Sequence, residues 1–84
     1  MVSNSNRFVI RNGSRKPVTI DVEPEGVVVP LGENEEVTVK EVFATIPVTI
    51  KITTDEAGDL VLSIWPGDGD VVVEKNGVDV LDLV

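Results

Sequence analysis

Apolar and polar residues alternate along this chain in short runs, and each run stops at a turn signal. Val18-Thr19-Ile20-Asp21-Val22-Glu23 and Val48-Thr49-Ile50-Lys51-Ile52-Thr53 keep a period of two, the spacing of a pleated strand with one side on a core. Asn12-Gly13, Pro24-Glu25-Gly26, Leu31-Gly32-Glu33-Asn34, Asp55-Glu56-Ala57-Gly58, Pro66-Gly67-Asp68-Gly69 and Asn76-Gly77 separate the runs, being rich in residues that favour turns. Strands are predicted over Arg7–Arg11, Val18–Glu23, Val27–Val29, Glu35–Phe43, Val48–Thr54, Leu60–Trp65, Asp70–Lys75 and Val78–Leu83. Val, Ile and Thr dominate these runs; their branched Cβ is restricted on a helix and packs well on a pleated surface.

Turn chemistry sets part of the connectivity. Asn76-Gly77 between Lys75 and Val78 is the strongest hairpin signal, because both central residues of a type I′ turn need positive φ. Thr54-Asp55-Glu56-Ala57-Gly58-Asp59 reads as a four-residue hairpin loop with Gly58 left-handed. Connections this short exclude helical crossovers, so the sheets are expected to be mainly antiparallel. The fold class is all-β: one small antiparallel β-sandwich with an immunoglobulin- or fibronectin-like look, and a small β-barrel as the alternative. Residues 1–6 are expected to form a flexible tail and residues 7–84 the single domain.

Parity assigns an inward face: Phe8 and Ile10; Val18, Ile20 and Val22; Val37 and Val39; Val48, Ile50 and Ile52; Leu60, Leu62 and Ile64. The period would bury Glu41, so a bulge or strand end near Lys40 is expected, returning Phe43 to the core. The last hairpin is apolar on both parities, with Val71, Val73, Leu81 and Leu83 on one and Val72, Val78 and Val80 on the other. Such strands are covered on both sides or present an apolar patch.

Composition narrows the chemistry. The 84 residues contain no cysteine and no histidine, so neither a disulfide nor a Cys/His zinc site holds the fold. With no histidine base, no thiolate, no tyrosine and no Gly-x-Ser-x-Gly elbow, nucleophilic and near-neutral acid–base catalysis lack their usual groups. Carboxylate pairs remain, but fifteen acids on so small a surface meet by chance. The expectation is no enzyme. The net charge of −8 is divided: residues 1–20 hold Arg7, Arg11, Arg15 and Lys16 and no acid, while residues 21–84 set fifteen acids against three lysines. An acidic body argues against a nucleic-acid partner. Neither a signal segment nor the ~18 apolar residues of a membrane span is visible, so no membrane partner and a cytoplasmic location are expected.

Two sites stand out. Pro66-Gly67-Asp68-Gly69-Asp70 reads first as an ordinary Gly/Asp turn, and as the alternative offers the carboxylates of Asp68 and Asp70 to a Ca²⁺ ion, though without EF-hand spacing. Trp65, the only tryptophan, points away from Leu62 and Ile64 with Val61. It is placed to anchor a protein or stack on a sugar, or to cover a sandwich edge. Binding residues are therefore sought at Trp65, Val61 and Val72, with Arg7 and Arg11 supplying charge. The expected function is a protein–protein interaction or self-association module, the alternative a calcium or carbohydrate module built on residues 66–70 and Trp65.

Asn12-Gly13, the strand Val18–Val22 closing on Glu23-Pro24-Glu25-Gly26, Leu31-Gly32-Glu33, Ile64-Trp65-Pro66-Gly67 and Lys75-Asn76-Gly77 together resemble a group of small bacterial β-sandwich proteins. The likeness spans most of the chain and implies the same sandwich fold. It implies no activity, because that group has none assigned.

Overall fold

The computed structural model describes residues 3–83, of which residue 83 is described by its backbone alone; the expected inward side chain of Leu83 and the first two tail residues lie outside the described residues. Eight strands follow in order: β1 (Asn4–Arg11), β2 (Val18–Val22), β3 (Val27–Leu31), β4 (Glu36–Phe43), β5 (Thr49–Thr54), β6 (Leu60–Trp65), β7 (Asp70–Lys75) and β8 (Val78–Asp79). They form two four-stranded sheets, ordered β1-β4-β7-β8 and β3-β2-β6-β5. Two separate sheets around one core make a sandwich and not a barrel. All pairs are antiparallel except β2 with β6, which run parallel with Val18 opposite Leu60.

The hairpins follow the local chemistry. Asn76 and Gly77 take φ of 54° and 78°, joining β7 to β8 with Lys75 opposite Val78. Gly58 is left-handed at 84°, its N–H donating to the Asp55 carbonyl while Asp55 N–H donates to Asp59 O. The core holds the expected alternating residues, namely Val18, Ile20 and Val22, Val37 and Val39, and Ile64, joined by Val29, Leu31, Val73 and Val80.

Four expectations are corrected. β1 starts at Asn4, because Asn4, Ser5 and Asn6 pair with Phe43, Val42 and Glu41. No bulge interrupts β4: its register with β1 runs unbroken from Glu36 to Phe43, and Glu41 is buried, 3% exposed. The eighth strand stops at Asp79, whose Oδ1 accepts the Leu81 N–H at 3.0 Å and turns the chain into a 3-10 segment, Val80–Leu83. Ile52 and Leu60, read as inward, are 65% and 46% exposed.

Those exposures follow from how the sandwich closes. On one side the 3-10 segment packs beside β3 and Val80 is fully buried. On the other side the edge strands are β1 of the first sheet and β5 of the second. There Phe8, Ile10 and Ile50 are half-buried against the core, and a groove of about 370 Å³ opens among Ile10, Arg11, Leu60 and Leu62.

Candidate functional site

The residues singled out in the sequence do not converge. Val61 and Trp65 share the outer face of the second sheet, where Val61 lies between Thr19 and Thr53 and Trp65 opposite Thr49. Trp65 is 44% exposed there, an outward position as its parity requires. Arg7 and Val72 lie on the opposite outer face, flanking Lys40 across β1, β4 and β7. They line a shallow groove of about 460 Å³ with Ser5, Val42 and Asp70. Arg11 is engaged at the end of that sheet, its Nε donating to Glu36 Oε1 at 2.9 Å. A single surface formed by Trp65, Val61, Val72, Arg7 and Arg11 is therefore absent, because β1 and β7 belong to one sheet and β6 to the other.

Asp68 holds a loop. Its Oδ1 accepts the Ala44 N–H at 2.9 Å and its Oδ2 accepts those of Thr45 and Ile46 at 2.8 and 3.0 Å, while its own N–H donates to Ile46 O at 3.0 Å. Desolvation by itself raises the carboxyl, but the amides of Ile46, Thr45 and Ala44 outweigh it and hold Asp68 below the ordinary aspartate value. Both oxygens thus already serve backbone donors. Asp70 is on β7 opposite Val42, and among the described residues no cluster of three or more metal-ligating side chains forms. The alternative of a Ca²⁺ ion between Asp68 and Asp70 gains no third ligand here; the turn is built around the 44–46 loop. Gly67 and Gly69 complete that joint, for a Cβ at either would overlap the carbonyl of Ile46 or of Val42.

Glu35 is the other perturbed carboxyl. The Gly32 N–H, 2.6 Å from Oε1, and then Lys75, 3.4 Å from Oε2, hold it below the ordinary glutamate value. Both perturbed acids are fixed by neighbouring backbone and neither lines a cleft opposite a second acid, so no acid–base pair is assembled around them.

Two buried polar side chains escaped the sequence reading, and both tie remote segments together. Glu41 Oε2 accepts the Val48 N–H at 2.7 Å and its Oε1 accepts Asn6 Nδ2 at 3.3 Å, joining the first sheet to the segment that enters β5. Asn12 Nδ2 donates to the carbonyls of Lys16 and Leu31 at 2.8 and 3.0 Å, while its Oδ1 accepts the Ser14 N–H. Among the described residues no buried side-chain polar atom lacks a partner, so these groups are structural.

What remains unpartnered is the open β1/β5 side. β5 is an edge strand of six residues, and its Ile52, with Leu60 of the neighbouring β6, stands exposed. An exposed edge presents unpaired N–H and C=O groups to any chain that can add a strand. Its only sequence signal is the run Ile50–Thr54, β-prone and carrying one charge. No protein-family model, curated protein or solved structure matches the chain. No helix among the described residues is long and apolar enough to cross a membrane.

Proposed function

We propose that this domain is a non-catalytic interaction module that binds another polypeptide by strand addition on its open β1/β5 side. The asymmetry of closure carries this reading: Val80 is fully buried where the 3-10 segment packs beside β3, whereas Ile52 stands 65% exposed on the edge strand β5. In β-augmentation the edge hydrogen bonds supply affinity, and side chains on one parity supply selectivity. The absence of histidine, cysteine and tyrosine supports a role without catalysis, and a cysteine-free chain suits a reducing compartment such as the cytoplasm. Amide spectra of the labelled domain, recorded dilute, concentrated and in host lysate, test the reading. Binding on this side shifts or broadens the amides of β5 and β1 and leaves β3 and the 3-10 segment unchanged. No response under any condition, or an equal response at all edges, would overturn it.

A further inference from the structure

Resting on that reading, we infer that the strand added to β5 is β5 of a second copy, antiparallel and centred on Thr53. Of the four sheet edges, β3 contains Pro30, which donates no N–H, and its carbonyl is taken by Lys75 Nζ at 3.2 Å. β8 has two residues. β1 is long but carries Arg7 and Arg11 and no acid, so it cannot match itself by charge.

β5 and its turn carry both signs. Asp55 N–H bonds Asp59 O inside the β5–β6 hairpin, so alternation turns the odd-numbered amides toward β6 and those of Ile50, Ile52 and Thr54 toward the free edge. A two-fold partner must keep odd residues opposite odd ones, or the core faces of the two sheets would fall on opposite sides. Centring on Lys51 opposes the two lysines. Centring on Ile52 sets Lys51 against Thr53 and leaves the lysines diagonal to each other. Centring on Thr53 places Lys51 opposite Asp55 at both ends, and Ile52 opposite Thr54, so each exposed Ile52 gains a cross-strand neighbour. Lys51 forms no ion pair among the described residues, leaving its ammonium available. A strand-to-strand contact falls below the ~1,200 Å² of a stable interface, so the dimer forms at high protein concentration.

The natural lack of cysteine makes the register measurable. Thr53→Cys places its thiols on a directly opposed pair, within disulfide reach, and should cross-link at least about ten times faster than Val28→Cys on exposed β3. Lys51→Asp, which leaves the backbone untouched, should slow that cross-link and shift sedimentation toward monomer. Ile52→Pro deletes a free-edge N–H without breaking the pairing with β6, and should abolish both signals while melting normally. Equal cross-linking at positions 53 and 28, or a monomer at about 1 mM, would overturn the inference. Amide shifts in lysate alone, or a dimer formed through β1, would also overturn it while leaving the proposed function standing.

Discussion

Replacing Glu41 by alanine removes the one side chain that bonds both Asn6 on β1 and the residue entering β5. The carboxylate accepts the part-buried backbone N–H of Val48 at 2.7 Å and, more weakly, the side-chain amide of Asn6 at 3.3 Å. A hydrogen bond to a charged group contributes ~1.5–3 kcal/mol, and an unsatisfied buried donor costs a similar amount. Because both bonds are only part-buried, the lower half of that range applies, and Glu41→Ala should cost about 1.5–2 kcal/mol. Glu41→Gln keeps an acceptor for Val48 and loses only the charge assistance, about 1 kcal/mol. For a domain of this size 1 kcal/mol corresponds to ~4–8 °C in Tm, so alanine should lower Tm by roughly 6–16 °C. Urea unfolding followed by the fluorescence of Trp65, the single tryptophan, measures both variants against Glu33→Ala, an exposed loop acid. If Glu41→Ala unfolded within about 0.5 kcal/mol of Glu33→Ala, the range of ordinary surface changes, the carboxylate would not be what fastens β5 to the first sheet.

Acid should loosen the 44–46 loop. A carboxyl held below its unfolded value stabilises above that value and loses its contribution as pH falls through the lowered folded one; thermal melts from pH 5 downward should therefore decline, and Asp68→Asn should flatten the decline. Gly69→Ala should cost about 3 kcal/mol or prevent folding, because its Cβ would overlap Val42 O. Gly13→Ala, with open space around it, should shift the urea midpoint little. Val80→Ala should cost about 2 kcal/mol by emptying part of the seal against β3, and faster hydrogen exchange at β3 would report it.

Where neighbours in sequence decide a structure, the chain was readable. Asn76-Gly77 and Gly58 specify their turns whatever packs on them, and the parity of β2, β4 and β6 named most of the core. Glu41 was misread because its partners, Asn6 and Val48, come from elsewhere in the chain, and periodicity cannot announce a donor from another segment. The end of β8 turned on the Asp79 side chain finding the Leu81 amide, a local contact that outcompeted the alternation of Val78 and Val80. The proposed binding residues scattered for a topological reason: nothing local shows that β1 pairs with β4 and β2 with β6, which sends Arg7 and Trp65 to opposite faces.

Pairing Val18–Val22 with Leu60–Ile64 also dictates when this chain can fold as it is made. At about 5–20 residues per second, roughly 2–8 s separate the emergence of Val18 from that of Leu60. Until then β2 and β3 have no second sheet partner, and the apolar face of Ile20, Val22, Val29 and Leu31 stays uncovered. The same applies to β1 until residues 36–43 appear. Nascent chains therefore spend seconds with apolar strand residues uncovered, and crowded ribosomes or a shortage of chaperones should lower the yield of this protein before any defect in the finished fold does.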